Sequence, residues 1–145
     1  MNDWDIWFME MAEKVSKKSK DPSTKVGAVI ADSKNGFVSL GYNGFARNMR
    51  DDKSLYENRE TKYDRIIHAE TNAIFFAERG RLEGSTLYTF PFMPCHRCAI
   101  LVIQAGIKKV VTYGDNTERW QESFNKTLEY FYEAKVRVEL YERPE

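Results

Sequence analysis

Residues 68–113 read HAETNAIFFAERGRLEGSTLYTFPFMPCHRCAILVIQAGIKKVVTY. The stretch alternates two segments of helical length with two short strand-like segments: 68–79, 94–105, 85–90 and 107–113. Gly80 and Gly106 stand where helix C-caps are expected, and Pro94 suits a first helical turn. Because alternating helices and strands need crossover connections, this stretch predicts an α/β fold with a mixed sheet and helices on both of its faces.

The flanking sequence extends this pattern in both directions. It predicts a helix, a β-hairpin turning at Asn35-Gly36, a further helix and a final strand: 3–19, 24–31 with 37–42, 117–134 and 135–141. The expected order is therefore α-β-β-α-β-α-β-α-β. Residues 44–66 are polar with little periodicity and predict a long loop, either functional and mobile or a solvated insertion.

Composition restricts the class of protein. The length of 145 residues predicts one domain spanning residues 1–145, and 42% hydrophobic with 14% aromatic residues is enough for a packed core. Lys plus Arg and Asp plus Glu both number 22, so the basic excess typical of proteins that bind nucleic acid polymers is missing. Without a long apolar run, and with an acidic N-terminal segment, the sequence predicts a soluble, cytoplasmic protein with no membrane partner.

Cysteine and histidine are scarce and clustered. The two cysteines form one CxxC unit, Cys95 and Cys98, and two cysteines in an intracellular chain do not make a disulfide framework. Positions i and i+3 of a helix share a face, so both thiolates can reach one ion, with His68 as a third ligand. His96 is adjacent to Cys95 and points about 100° away from it, so it is poorly placed as a fourth ligand. Three protein ligands with an open fourth position are typical of catalytic zinc, one ion per chain.

Glu70 completes the pattern as a candidate proton shuttle. It lies two residues after His68 and can face the open coordination position without ligating the metal. His68-Ala69-Glu70 followed by Pro94-Cys95-x-x-Cys98 has the H-x-E and P-C-x-x-C form of zinc deaminases, which exchange an exocyclic amino group for oxygen. Either motif alone is weak, whereas the two in order, each at the start of a predicted helix, are a specific signal.

Five segments of the sequence resemble the deoxycytidylate (dCMP) deaminase family within the cytidine-deaminase-like superfamily. They are SKDPSTKVGAVI (19–30), GYNGF (41–45), TKYDRIIHAETNAI (61–74), PCHRC (94–98) and IQAGIKKV (103–110). The resemblance implies a three-layer αβα sandwich around a five-stranded mixed sheet, zinc-dependent hydrolysis of dCMP to dUMP and ammonia, supply of dUMP for dTMP synthesis in pyrimidine nucleotide biosynthesis, and a homohexamer.

The resemblance also implies roles for individual residues. His68, Cys95 and Cys98 correspond to the zinc ligands and Glu70 to the proton shuttle. Asn43 would bind the sugar or phosphate end of the nucleotide, the Ala69 N–H and the Pro94 carbonyl would read the base edge, and Thr24 and Val26 would line the pocket. From its type and position, Tyr63 either borders the nucleotide or anchors a loop.

Two features of the long loop depart from the family. Ala46 stands where the family usually has proline, and residues 47–50 lack the family's glycine. In the family this loop binds activating dCTP and inhibiting dTTP with magnesium. Without the glycine, close approach of the backbone to a triphosphate is harder. Regulation, the preference for dCMP over dCTP, and a Mg²⁺ ion entering with a bound triphosphate therefore stay open.

The phosphate end of a nucleotide needs cations, and the sequence offers four: Lys25, Arg47, Arg50 and Arg119. Arg119 is notable because it follows a predicted strand near the expected pocket mouth. Two other classes of function remain as alternatives. One is a deaminase of a base in RNA, similar to tRNA adenosine deaminases, and the other is a non-catalytic binding module stabilised by zinc.

Overall fold

A computed structural model describes residues 1–114 and 118–144 of the chain. Its helices and strands are α1 (Asp3–Ser16), β1 (Gly27–Ala31), β2 (Phe37–Tyr42), β3 (Gly44–Phe45), α2 (Lys53–Glu57), α3 (Arg59–Arg65), β4 (Ile66–Ile67), α4 (Ala69–Phe76), β5 (Thr86–Phe90), α5 (His96–Gln104), β6 (Lys109–Tyr113), α6 (Gln121–Ala134) and β7 (Arg137–Tyr141). Single 3₁₀ turns occupy Arg79–Arg81 and Glu118–Trp120.

Five strands form one mixed sheet in the order β2-β1-β5-β6-β7. Strand β1 is antiparallel to both β2 and β5, whereas β5, β6 and β7 are parallel to one another. It follows that β2 runs parallel to β5, and that α4, α5 and α6 each belong to a crossover between parallel strands. The predicted five-stranded mixed sheet is confirmed.

The sheet separates two apolar cores, one on each face. Successive residues of β1 alternate between them: Ala28 and Ile30 pack with α4, α5 and α6, while Val29 and Ala31 pack with α1. All five residues of β1 are buried, as expected of a central strand covered on both faces. The molecule is therefore a three-layer sandwich, with α1 covering one face of the sheet and α4, α5 and α6 the other, as the resemblance implied.

The strand directions bring several connections to one edge of the sheet. Gly27 at the start of β1 pairs with Tyr42 at the end of β2 and with Phe90 at the end of β5. Helices α4 and α5, which come before and after β5, both begin at this edge. Crevices in open α/β sheets form at the carboxyl ends of parallel strands, so this edge is where the fold places a site.

The predicted loop at 44–66 is wrong in detail, because the segment is largely structured. It contains α2 and α3, and its two ends pair as the antiparallel strands β3 and β4. The Phe45 and Tyr56 rings stack with centroids 4.0 Å apart, and the Tyr56 hydroxyl donates to Asp51 at 2.7 Å. Helices of five and seven residues are too short for a visible hydrophobic period, so the sequence pattern concealed them.

Several predicted boundaries also shift. Helix α4 ends at Phe76, because Ala77 adopts an extended conformation and packs against the core, so the C-cap predicted at Gly80 is wrong. Helix α5 begins after Pro94, with Cys95 as its N-cap. The last helix was predicted from residue 117, which lies outside the described residues; a 3₁₀ turn precedes α6 at Gln121. Within 1–114 and 118–144, no helix combines the length and apolarity needed to cross a membrane.

Gly41 allows α4 to lie directly against β2. A Cβ atom at residue 41 would approach the Ala69 carbonyl oxygen and the Ala73 nitrogen, both backbone atoms of α4, to 2.5 Å. We expect Gly41→Ala to lower the free energy of unfolding by about 3 kcal/mol, which is roughly 10 °C in Tm for a chain of this size. Thermal unfolding followed by circular dichroism measures the loss.

The matched control is Gly80→Ala, since a Cβ atom there meets nothing within 4 Å. Its Tm should stay within about 3 °C of the parent. Equal Tm values for the two variants would contradict the close contact between α4 and β2.

Candidate active site

Two of the three predicted metal ligands are N-cap residues. His68 is the N-cap residue of α4 and Cys95 that of α5, both with extended backbones, and neither makes a side-chain capping hydrogen bond. Most N-cap side chains accept a hydrogen bond from the first turn of their helix. Here both side chains turn toward the space between the helices, where Cys98 joins them from the first turn of α5.

The three side chains converge on a single point. The Nδ1 atom of His68 lies 3.2 Å from the Sγ of Cys98 and 3.5 Å from the Sγ of Cys95, and all three donor atoms lie within 4.8 Å of one another. One imidazole nitrogen and two thiolate sulfurs are a donor set that suits Zn²⁺, whose bonds to nitrogen and sulfur are about 2.0–2.3 Å long. The residues therefore fit the ion that the sequence predicts.

Glu70 lies on the floor of the site, two residues after His68. Its side chain is buried, and burial, which disfavours the charged form, raises the pKa of its carboxyl group. A carboxyl group with a raised pKa holds a proton more readily than a free one, so it is better suited to accept a proton as well as to donate one. This is the property needed of a proton shuttle.

The two thiols differ in their titration in the absence of a metal. A hydrogen bond from the Cys98 thiol, together with one from His68, lowers the pKa of Cys95. The same hydrogen bond to Cys95, together with burial, raises the pKa of Cys98. The hydrogen bond with Cys95 also raises the pKa of His68. Two thiols and a buried carboxyl group thus compete for negative charge at one place, which a divalent cation would relieve.

A cavity of about 120 Å³ opens over these groups. Its volume is close to the roughly 150 Å³ of an engineered apolar cavity that admits benzene, so it is of a size for one six-membered ring. The lining residues come from five separate parts of the chain: Asp21, Thr24, Val26, Asn43, Lys62, Tyr63, Ile66, His68, Ala69, Glu70, Phe92, Met93, Cys95, Arg119, Trp120 and Phe124.

One corner of the cavity is an ion pair with its own hydrogen-bond network. The Lys62 Nζ lies 2.7 Å from the Asp21 carboxylate, and this carboxylate is almost completely buried. Burial alone would raise the pKa of Asp21, but hydrogen bonds from Lys62 and Ser23 outweigh it and lower that pKa. Asn43 joins the network, because its Nδ2 donates to the Thr24 carbonyl and its Oδ1 accepts from the Val26 N–H.

Most of the predicted substrate-binding residues line this cavity: Thr24, Val26, Asn43, Tyr63, Ala69 and Arg119. Pro94 is placed differently, since its carbonyl accepts a hydrogen bond from Thr127 at 2.9 Å and the residue does not contribute to the lining within the described ranges. His96 turns toward α6, where its Nδ1 lies 2.8 Å from Ser123 Oγ. That orientation agrees with its predicted exclusion from the ligand set.

The four candidate cations differ in whether they line the cavity. Arg119 lines the cavity, with its guanidinium 5.1 Å from the Trp120 ring centroid. The other three contact groups elsewhere: Lys25 donates to the Ser19 carbonyl, Arg47 lies over the Phe76 ring, and Arg50 pairs with Asp52.

Seven lining residues were not predicted as part of the site: Asp21, Lys62, Ile66, Phe92, Met93, Trp120 and Phe124. Phe92 and Met93 directly precede the PCHRC segment, so their position in the chain was a usable signal. Trp120 and Phe124 have the helical spacing of core residues and do pack on Phe92. Lys62 had no sequence signal, because its partner Asp21 is 41 residues away.

Comparisons with known proteins agree with this geometry. The family described as the cytidine and deoxycytidylate deaminase zinc-binding region matches residues 2–114. A probable deoxycytidylate deaminase of Drosophila melanogaster is 43% identical over 122 residues, which cover 77% of this chain and 60% of that protein. An uncharacterized deaminase in the luxG 3' region of Aliivibrio fischeri is 44% identical over 138 residues, covering 93% of this chain and 91% of that protein.

The fold is also that of a solved structure. The crystal structure of a dCMP deaminase from cyanophage S-TIM5 in apo form superposes with a TM-score of 0.73 at 24% sequence identity. The match covers 97% of this chain and 100% of the phage chain. Family match, sequence similarity and zinc-ligand geometry agree, and the chain belongs to the cytidine and deoxycytidylate deaminase zinc-binding family.

Proposed function

We propose that this protein is a zinc-dependent hydrolase that converts dCMP to dUMP and ammonia, and so supplies dUMP for dTMP synthesis. The observation that carries the proposal is the convergence of His68, Cys95 and Cys98 beside the buried Glu70, at the floor of a ring-sized cavity. Similarity to the deaminases of Drosophila and Aliivibrio supports the reaction class. The name of the fly protein supports a deoxycytidylate substrate.

His68, Cys95 and Cys98 would hold one Zn²⁺ ion per chain. When bound, this ion supplies Lewis acidity, which lowers the pKa of a bound water toward about 7. The protein leaves one side of this ligand group open. That side faces the cavity, which Glu70 and Ala69 also line.

Glu70 moves the protons of the reaction. Water adds to C4 of the pyrimidine as a C4–O bond, the C4–N bond breaks, and the nitrogen leaves as ammonia. The carboxylate of Glu70 takes one proton from the attacking water and passes it to N3 of the ring. It then takes the second proton from the new C4 hydroxyl group and passes it to the departing amino group, so that dCMP and water balance dUMP and ammonia. Its raised pKa suits both directions of transfer.

The cavity separates the ring from the charged end of the nucleotide. Phe92 and Phe124 offer apolar surface to a base, while Arg119 is exposed at the mouth and is free to reach a phosphate. Arg119 is preferred over Lys62, because the Lys62 ammonium group is already neutralised by Asp21 at 2.7 Å. A monophosphate at the mouth needs only one or two such cations, which suits a chain of zero net charge.

The remaining contacts follow from the groups left available. The Ala69 N–H lies in the first turn of α4, where backbone donors have no partner within the helix, and it would bind the base edge together with the second lone pair of the Pro94 carbonyl. Asn43 would bind the sugar through the second lone pair of Oδ1. Thr24, Val26 and Tyr63 would complete the wall.

We also propose that residues 1–145 act as one domain in a homo-oligomer, a hexamer by family resemblance. Four large apolar side chains on α4 and α5 are exposed and offer surface for subunit contacts: Phe75, Phe76, Ile100 and Leu101. A molar mass of 17.0 kDa by light scattering, that of a single chain, would contradict this. Magnesium bound with a triphosphate, and location in the cytoplasm, stay predictions from the sequence.

Metal content tests the ligand assignment. The parent protein should carry about one zinc per chain by inductively coupled plasma mass spectrometry, and His68→Ala and Cys98→Ser should lose most of it. His96→Ala is the matched control, since it removes the other histidine, which lies outside the ligand group. Loss of zinc in His96→Ala equal to that in His68→Ala would contradict the assignment.

Deamination itself is tested by the ultraviolet change that accompanies conversion of a cytosine to a uracil. The zinc-loaded parent should convert dCMP, and Glu70→Gln should keep its zinc while turnover falls by about 100-fold or more. Parallel assays with dCTP, deoxycytidine and tRNA define the substrate. A zinc-loaded parent that leaves dCMP unchanged, or a Glu70→Gln variant with full turnover, would refute the proposal.

Arg119→Ala tests the phosphate contact. We expect KM for dCMP to rise about tenfold with little change in kcat, because a phosphate bound equally in ground and transition states affects binding alone. Arg47→Ala is the control, since each guanidinium lies over an aromatic ring and only Arg119 belongs to the cavity lining. A larger rise in KM for Arg47→Ala than for Arg119→Ala in steady-state kinetics would contradict this prediction and assign the phosphate contact to Arg47.

A further inference from the structure

Two hydroxyl groups on α6 hold the backbone on either side of Cys95. Thr127 Oγ1 donates to the carbonyl of Pro94 at 2.9 Å, and Ser123 Oγ accepts from the N–H of His96 at 3.0 Å. Ser123 and Thr127 are four residues apart, so they lie on the same face of the helix. Residues 94 and 96 are thus both attached to one face of α6.

Neither of these backbone groups finds a partner within α5. The N–H of His96 belongs to the first turn, where no preceding carbonyl is available, and an N-cap side chain usually reaches the N–H groups one or two positions further on instead. The Cys95 side chain is directed at His68 and Cys98, so the His96 N–H has no acceptor from its own helix. Ser123 supplies the missing acceptor from a different helix.

The Pro94 carbonyl precedes the helix, and Pro94 is buried. A buried carbonyl without a donor is costly, so the Thr127 hydroxyl both satisfies this group and fixes its direction. Thr127 is completely buried, which shields its hydrogen bond from competing water. The ring of His96 adds a third contact, with Nδ1 at 2.8 Å from the same Ser123 oxygen.

We propose that Ser123 and Thr127 are positioning residues for zinc, and that they act by fixing the backbone of Cys95 so that its sulfur stays directed at His68 and Cys98. The pair slows release of the ion, because departure of zinc through an open form of the site requires Cys95 to swing away from the other two ligands. The inference rests on zinc binding alone and is independent of which nucleotide the protein deaminates.

Loss of zinc to a chromogenic chelator, 4-(2-pyridylazo)resorcinol, measures this directly in the zinc-loaded full chain. We expect zinc release about tenfold faster in Thr127→Val and a several-fold increase in Ser123→Ala, in line with the effect of residues that orient metal ligands. Thr127→Ser keeps the hydroxyl group and should restore a rate within about twofold of the parent.

The matched control is Thr112→Val. Thr112 is also completely buried, and its Oγ1 also donates to a backbone carbonyl, that of Thr89 at 2.8 Å, which lies on a strand and not in the 94–98 segment. The substitution therefore removes the same kind of hydrogen bond from the same kind of environment. Its zinc release should match the parent, even where its Tm falls as far as that of Thr127→Val.

The outcomes separate a positioning role from a general structural one. Faster release in Thr127→Val and Ser123→Ala, with Thr112→Val unchanged, supports the proposal. Equal acceleration in Thr112→Val and Thr127→Val would overturn it, as would release at the parent rate in both α6 variants. If Thr127→Val does not fold, Ser123→Ala and Thr127→Ser decide the question. Because the readout is zinc, a protein that fails to deaminate dCMP still tests the inference.

Discussion

His68 and Cys95 are 27 positions apart in the chain, yet the site requires their helices to begin side by side with both N-cap side chains turned outward. Much of the surrounding structure serves this requirement. The crossovers that contain α4 and α5 bring both helix starts to the same edge of the sheet, and Gly41 lets α4 rest on β2 without an intervening side chain. An N-cap residue whose side chain makes no capping hydrogen bond would lower the stability of an isolated helix. In this fold, the direction of the His68 and Cys95 side chains toward each other takes precedence over capping.

The electrostatics of the site follow from the same crowding. Two thiols, one of them buried, and a buried carboxyl group lie close together, and ionising all of them without a counter-charge is unfavourable. The same competition shifts the three groups apart: hydrogen bonds from Cys98 and His68 lower the pKa of Cys95, while the hydrogen bond to Cys95 and burial raise the pKa of Cys98, and burial raises the pKa of Glu70. Helix N-termini supply partial positive charge toward both helix starts. A dication held by His68, Cys95 and Cys98 would supply the rest, and its binding would then be linked to folding of this region.

The sequence predicted the candidate metal ligands and the candidate proton shuttle better than the residues that form the walls of the cavity. Two short motifs were enough to predict these groups, which are His68, Cys95, Cys98 and Glu70. This was possible because residues near a helix start have fixed directions relative to one another. The structure of residues 44–66 could not be predicted in this way, because it is ordered by contacts between residues that are well separated in the chain. Phe45 stacks on Tyr56, and Lys62 pairs with Asp21, which belongs to a loop before the first strand. Pairings of this kind have no period along the chain. The same holds for Ser123 and Thr127, whose hydroxyl groups carry no sign of their partners on another helix.

The floor and the walls of the cavity differ in the parts of the chain that form them. The floor of the cavity carries the proposed metal ligands and the proposed proton shuttle, and it depends on two compact motifs. The walls come from residues 21–26, 43, 62–66 and 119–124, which meet only in the folded chain. The wall segments are attached in two groups: Asn43 and Lys62 both bond to residues 21–26, and the α6 hydroxyl groups bond to the segment that holds Cys95. A change in one wall can alter which molecule fits without moving the ligands. In α6, however, Trp120 and Phe124 line the cavity while Ser123 and Thr127 contact the backbone around Cys95, so any displacement of that helix changes the shape of the pocket and the support of the metal site together.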